Sequence, residues 1–369
     1  MNRYEKRLSH VRTKMMEQGI DTLILTPGGA MRYLTGFSED GHERLIALVV
    51  PDDRPWLFIT PALNAAQVRE NPAGIDDIRV WDDAEGWETL LASICTDLNL
   101  DIGIIGLDDN MPARFAIRLQ EKLSTALLKL AGPIFIPLRS VKDNIEIASL
   151  ANAAEATDSA TAIAYEVCKA GATEREVANA IESHFALVGF EKTFETIVAA
   201  GQNGASPHHH TGRTKLKLGD VVVLDYGAKV DDYCGDITRT VSIGNASAQV
   251  REVYDTVYNA HQAGLEAIKP GATSHDVDRA VRKVIEDAGY GEFFLHRTGH
   301  GIGLDGHEAP NIVSGDRTPL MPGHCFSIEP GIYLPGQYGI RLENIVSVDE
   351  DGYPRVLNAE IPPTIPMVG

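Results

Sequence analysis

Five residues in the second half of the chain have side chains that bind divalent metals, in the order Asp225, Asp236, His300, Glu329 and Glu343. Four carboxylates and one imidazole offer mostly hard oxygen donors and no thiolate, which suits two divalent ions of the Mn, Co or Zn kind better than one. The formal charges agree, since four negative ligands balance two dications. A water shared by such ions loses a proton near neutral pH, because a bound metal lowers its pKa to about 7, and the hydroxide formed is a nucleophile. Hydrolysis is the chemistry this set could perform.

The elements that must position these residues read as strands. Asp225 closes the apolar run Val221, Val222, Val223, Leu224, where a bare carboxylate is costly unless something cationic meets it. In VVVLDYGAKVDDYCGDITRT, a β-branched run, a Gly-containing break and a second alternating run predict an antiparallel hairpin or neighbouring strands. Asp236, Thr238 and Thr240 share one face by the strand period of two. FSIEPGIYLPGQYGIRLEN holds two more strand-like runs around a Pro- and Gly-rich turn, with Arg341 and Glu343 on one face. Between them, HRTGHGIGLDGHE surrounds His300 with small residues that let the backbone approach a ligand or an ion closely.

The segments LDYGAKVDDYCGDITRT, HRTGHGIGLDGHE, FSIEPGIY and GIRLEN closely resemble the pita-bread metallopeptidase family, which includes prolidases, aminopeptidase P, methionine aminopeptidases and creatinase. The resemblance implies an α/β (α+β) chain: a creatinase-like N-terminal α/β domain over residues 1–137, echoed in MRYLTGF and LIALVVPDDRPWLFIT, then a catalytic domain of two pseudo-symmetric halves over 138–369. It implies that Asp225 chelates one ion, that Asp236 and Glu343 bridge both, and that His300 and Glu329 complete the other, with Glu329 also accepting a proton from the bridging water. It places His208, which follows Pro207, beside the metals in contact with substrate. His209 and His210 read as loop residues, since adjacent positions in an extended segment point to alternating sides. His296 is expected to position substrate, His307 to meet the scissile carbonyl, and Arg341 to orient a carboxylate. Tyr233 and Thr238 are candidates for hydrogen bonds to the ligands, and His42 and Arg44 for substrate contact.

Methionine aminopeptidases generally lack so large an N-terminal domain, and creatinase has lost these ligands, so the resemblance points to peptides with proline in the second position. Prolidase and aminopeptidase P both remain open. Archaeal prolidases tend to carry an arginine shortly after the His-Glu pair, where HEAPNIVSGDR has Asn311 and then Arg317, so Arg297 and Arg317 are the candidate partners for a substrate carboxylate. Mn2+ is the expected metal by ligand hardness and family habit, with Co2+ and Zn2+ behind it, and a homodimer is expected by resemblance. The alternatives are a related metalloenzyme acting on a non-peptide C–N bond and a binding protein on the same fold.

Composition sets the frame. The chain has 369 residues, 44% hydrophobic and 23% charged, enough for an ample core and two domains. A formal net charge of -19 would repel phosphate backbones and anionic lipid surfaces, which argues against nucleic acid and membrane as partners. No apolar run reaches the ~18 residues of a membrane span, and the charged N-terminus has no secretory core, so a cytoplasmic protein is expected. Cys95, Cys168, Cys234 and Cys325 are scattered and read as reduced thiols, with Cys234 sharing the strand parity of Asp236. Leu8, Val11 and Met15 predict a helix stopped by Gly19, and further helices are expected near 61–70, 85–97 and 112–123, between short apolar strands. Past a boundary marked by Pro133 and Pro137, helices are expected over 144–169, through Val177, Ile181 and Phe185, and over 247–267 and 274–288.

Overall fold

The computed structural model describes every residue except Met1, Ser38, Asp40, Asn99 and Asp101. The chain divides into two compact units, Met1–Arg139 and Ser140–Gly369.

In the first unit, Val11 and Met15 are buried along one stripe of the helix Arg3–Gln18. Asn2 and Glu5 form a capping box at its start, and Gly19 ends it in the left-handed region at φ 60°. A six-stranded mixed sheet follows, in the order Ile78–Trp81, Leu57–Pro61, Ala47–Pro51, Thr22–Leu25, Ile104–Leu107, Leu127–Leu130. The helices Ala65–Arg69, Trp87–Leu98 and Ala113–Lys122 occupy the three segments with helical patterning. Trp87, Leu91, Ile94, Phe115 and Leu119 from the last two pack with Ile24, Val49, Ile59 and Ile105 of the sheet into one apolar cluster. This is a mixed α/β layer.

The segment 144–169 is not one helix. It forms Asn144–Asp158 and Thr161–Val167, parted at Ser159 and Ala160. The Thr157 hydroxyl donates to Ala153 O (2.7 Å) and the Ser159 hydroxyl to Ala156 O (2.6 Å), the local side-chain competition that bends helices at Ser and Thr.

The second unit is built twice over. Gly-Ala-Thr occurs at 171–173 and again at 271–273. Gly171 and Gly271 take φ of 93° and 84°, open to glycine but strained for other residues. Thr173 and Thr273 then close capping boxes with Glu176 and Asp276 on the helices Glu174–Leu187 and Ser274–Asp287. The Leu216 N–H donates to Ala172 O (2.8 Å), and the Leu320 N–H donates to Ala272 O (2.9 Å). In the first half, Val177, Ile181 and Phe185 pack with Val198, Leu224 and Val241 of the strands Ile197–Ala200, Val221–Tyr226 and Ile237–Ile243. In the second, Val277, Val281 and Ile285 pack with Phe326, Ile328 and Val346, where the sheet runs Glu308–Ile312, Gly299–Gly301, Cys325–Ile328, Asn344–Val348, Pro354–Val356. These are the two pseudo-symmetric halves of the pita-bread fold.

Candidate metal centre

The strand registers bring the five candidate ligands to neighbouring levels of the second unit. Asp225 lies opposite Thr238 in the antiparallel pairing of Val221–Tyr226 with Ile237–Ile243, and Asp236 enters the second of these strands. In the other half Ile328 lies opposite Asn344, so Glu329 and Glu343 flank that ladder at one end. The runs after Glu329 do not pair around it; Gly331–Leu334 and Tyr338–Arg341 form a separate hairpin inserted between the two acids. The halves are joined directly: the Thr238 hydroxyl donates to Glu343 Oε2 (2.6 Å), and the Glu343 N–H donates to Thr238 O (3.1 Å).

His300 stands in the short strand Gly299–Gly301. A Cβ on Gly299 would lie 1.8 Å from Ser327 O, and one on Gly301 would lie 2.2 Å from Ala309 O. Gly299 and Gly301 therefore serve close approach to the neighbouring strands, while Gly306 of the same segment lines the cavity. The His300 N–H donates to Ser327 Oγ (3.0 Å), whose own hydroxyl donates to Glu329 Oε1 (3.0 Å).

Asp236, His300 and Glu343 each place a donor atom within 4.8 Å of the others, all buried. Burial, then the charges of Glu343, Asp225 and Glu329, push the Asp236 carboxyl well above the usual carboxylate range. Burial followed by Glu329 and Asp225 does the same to Glu343, and burial raises Glu329 to about 7. Of the arginines on this cavity Arg341 is the buried one, and it donates from Nη2 to Asp225 Oδ2 at 2.6 Å. Asp225 Oδ1 is buried and accepts no hydrogen bond.

The tautomer of His300 follows from its partners. Its Nδ1 lies 3.1 Å from Gly301 O, an acceptor only, so Nδ1 carries the proton. Burial holds the ring neutral, with its pKa lowered to about 3. The Nε2 lone pair then faces Glu329 Oε1 at 3.3 Å and Asp236 Oδ2 at 3.8 Å. Acceptors that converge in a buried site call for a cation among them, and the donor set fits divalent ions.

Arg341 continues into a polar chain. Its Nε donates to Thr238 Oγ1 (3.0 Å) and its Nη1 to the Tyr333 hydroxyl (3.0 Å). His296 Nδ1 lies 2.7 Å from Arg297 O, which fixes the proton there, and Nε2 accepts from the Tyr333 hydroxyl at 2.7 Å. Burial lowers the His296 pKa to about 4. With both ring nitrogens engaged, this imidazole orients other groups and is neutral at pH 7. Tyr333 and Ser327 carry no metal-binding pattern, and the sequence reading missed them. Their one signal is position, each within four residues of Glu329.

A cavity of about 970 Å³ opens over the cluster. All five candidate ligands, Asp225, Asp236, His300, Glu329 and Glu343, line it, and His208, His296, His307 and Arg341 are on its wall with them. The His307 ring lies 3.9 Å from that of His300, centroid to centroid, and burial lowers its pKa. His208 and His210 are exposed on this wall, but His209 is more than a loop residue: its Nε2 lies 3.0 Å from Glu174 Oε2. Arg297 lines the cavity, whereas Arg317 does not. Tyr233 donates to Glu146 Oε1 (2.8 Å) rather than to a ligand, because it belongs to the small sheet formed with Ala228–Val230. Cys234 is buried, with Sγ 3.8 Å from Leu304 O. In the first unit both Nε and Nη2 of Arg44 donate to Asp83 at 2.9 Å, and His42 O accepts from Arg114 (2.7 Å).

Residues 148–350 match Metallopeptidase family M24, and residues 7–141 match the Creatinase/Prolidase N-terminal domain. A probable dipeptidase PepE of Mycobacterium tuberculosis is 38% identical over 358 residues, 96% of this chain and 94% of the relative. An Xaa-Pro dipeptidase of Lactobacillus helveticus is 36% identical over 325 residues, 87% of this chain and 88% of the relative. The crystal structure of a recombinant prolidase from Thermococcus sibiricus superposes with a TM-score of 0.93 at 35% identity, covering 97% of each chain. The chain belongs to metallopeptidase family M24.

Proposed function

We propose that this member of metallopeptidase family M24 hydrolyses the Xaa-Pro bond of dipeptides or short peptides at a centre holding two divalent ions. The observation that carries the reading is the His300 Nε2 lone pair turned toward the carboxylates of Glu329 and Asp236. Relatives that act on Xaa-Pro bonds, an Xaa-Pro dipeptidase and a prolidase, support the choice of substrate.

Asp225, Asp236, His300, Glu329 and Glu343 would hold the ions, and the hardness of four carboxylate donors favours Mn2+ over Co2+ or Zn2+. When bound, the ions would polarise the scissile carbonyl and lower the pKa of a water to near neutrality. Glu329 would accept that water's proton and return it to the leaving nitrogen. His307, beside His300 and kept neutral by burial, would donate a hydrogen bond to the carbonyl oxygen. His208 would contact substrate from the opposite loop. Arg341 fixes Asp225 and, through Tyr333, His296, so these groups are held before substrate arrives.

The test is mass-spectrometric product analysis with Mn-loaded protein on Ala-Pro, Ala-Pro-Ala and Ala-Ala. Release of Ala from a proline-containing substrate, with Ala-Ala spared, is expected. Fully metallated protein that leaves every peptide untouched would overturn the peptidase assignment in favour of a non-peptide C–N bond.

A further inference from the structure

A buried ion pair stands behind the cavity wall. Lys142 Nζ lies 2.6 Å from Glu308 Oε1, with the two side chains 1% and 9% exposed. Neither residue lines the cavity. Two charges are costly to bury and costlier to separate, since removing one leaves the other uncompensated. A pair of this kind between residues 166 apart in the chain fixes where both backbones sit. Lys142 is itself anchored, for its N–H donates to Gly323 O at 2.9 Å.

Glu308 directly follows His307, and the ladder beside it is irregular. Gly301 pairs with Glu308 but His300 pairs with Asn311, so the register shifts between them. Ala309 and Pro310 are the extra residues on the Glu308 strand, and a bulge of this kind re-aims the side chains beside it. The side chain at its mouth is His307, which is exposed and whose ring lies 3.9 Å from that of His300. The loop before it is held at both ends. At one end the Cys234 N–H donates to Gly303 O (2.9 Å). At the other the Glu308 carboxylate, gripped by Lys142, fills the space beside Gly303, where a Cβ would lie 2.4 Å from Glu308 Oε1. Gly303 is not among the glycines of positive φ, so glycine serves there for room rather than for conformation.

We propose that Glu308, anchored by Lys142, is a positioning residue: it holds the bulge that aims His307 at the scissile carbonyl, and it acts on the reaction through that imidazole. This rests on the role given to His307 in the peptidase reading above. The pair sets the backbone on one side of His307 while the cavity side stays open for substrate.

The experiment measures kcat and KM for Ala-Pro with Mn-loaded wild type, E308Q, H307A and the H307A/E308Q double variant, each checked for metal content and melting temperature. E308Q is expected to keep its metal and to lower kcat by about 10–10²-fold with KM little changed, the scale of slightly misplacing a catalytic group. In the H307A background the same substitution should cost nothing further in kcat, because the imidazole it positions is gone. K142R, which keeps the charge, should recover most of the kcat that K142M loses. Should E308Q fail to fold, G303A gives the same reading, since its Cβ would displace the Glu308 carboxylate and cost kcat only where His307 is present. Equal kcat losses from E308Q in the two backgrounds, a wild-type kcat in E308Q, or loss of metal from it would overturn the proposal while leaving the peptidase reading in place. H307A with wild-type kcat would remove the role given to His307, and the proposal with it. Wild type inert toward proline peptides would sink the peptidase reading and the proposal together.

Discussion

Glu174 and Asp278 are both fully buried acids in the opening turns of equivalent helices, Glu174–Leu187 and Ser274–Asp287, yet they face different work. Glu174 accepts from the N–H groups of Ala200 and Gly212 and from the side chains of Asn203 and His209, gathering the loop that bears His208. Burial opposes its charge, but those four bonds together hold its pKa below the ordinary carboxylate value. Asp278 accepts from the N–H and hydroxyl of Thr298 and from Arg282, which also donates to His296 O. Thr298 O in turn receives the Glu329 N–H at 2.8 Å. One repeated scaffold therefore organises the loop of His208 in its first half and the strand of His300 in its second.

The largest expected effect removes what both halves share. Replacing Asp236 by Asn strips a charge from the middle of the cluster and should lower kcat/KM by about 10²–10³-fold, the scale of losing one electrostatic contributor to a transition state. Full activity with full metal content in D236N would refute the ligand assignment.

Removing metal should act through the same charges. A carboxylate whose pKa is raised by folding stabilises the fold below its unfolded value, and that contribution is lost as pH rises through the folded value. Glu329, at about 7 in the fold against roughly 4.3 unfolded, titrates across this window. The melting temperature of chelator-stripped protein should fall as pH rises from about 5 to about 8, and the gap to loaded protein should widen. A gap that is constant with pH would argue against carboxylate repulsion as its cause.

The two buried acids sharpen the comparison. D278A should weaken metal retention by about 10–100-fold, as loss of support behind metal ligands does. E174A should leave metal content intact and raise KM, because it frees the His208 loop. Both should cost stability, about 1–3 kcal/mol for each buried donor left unpaired. Equal loss of metal in the two variants would erase the distinction between the halves.

The smallest expected effect is that of Y333F, which removes one hydroxyl between Arg341 and His296. A loss of about 1 kcal/mol, or several-fold in kcat/KM, is expected with metal content unchanged. Without the Tyr333 donor on Nε2, His296 should also protonate more readily, moving the acid limb of the pH profile upward. A profile that does not move would mean the hydroxyl is only a packing group.

The proposed ligands were legible because metal ligation restricts residue type, and the order Asp225, Asp236, His300, Glu329 and Glu343 is itself a pattern; the structure brings donor atoms of Asp236, His300 and Glu343 within 4.8 Å of one another. Thr238 was legible too, through strand parity with Asp236. What stayed hidden depends on contacts far apart in sequence. Tyr233 is drawn away to Glu146, 87 residues earlier, and nothing local announces that. Glu174 and Asp278 look like solvated helix acids until the loops they receive are folded onto them. The internal repeat had a visible trace in Gly-Ala-Thr at 171 and 271, but three residues gain meaning only when both are seen to turn at left-handed glycines and cap helices. The break near Ser159 escaped because Ala-rich patterning scores as continuous helix, while hydroxyl back-bonding is a matter of rotamer.

The most direct measurement is the metal stoichiometry of the wild-type chain, by elemental mass spectrometry after stripping, Mn2+ loading and desalting. Two ions per chain are expected, falling together with activity in D236N. A loaded protein that retains no ion, or that cleaves Ala-Pro equally well after stripping, would contradict a dinuclear centre built from these five residues.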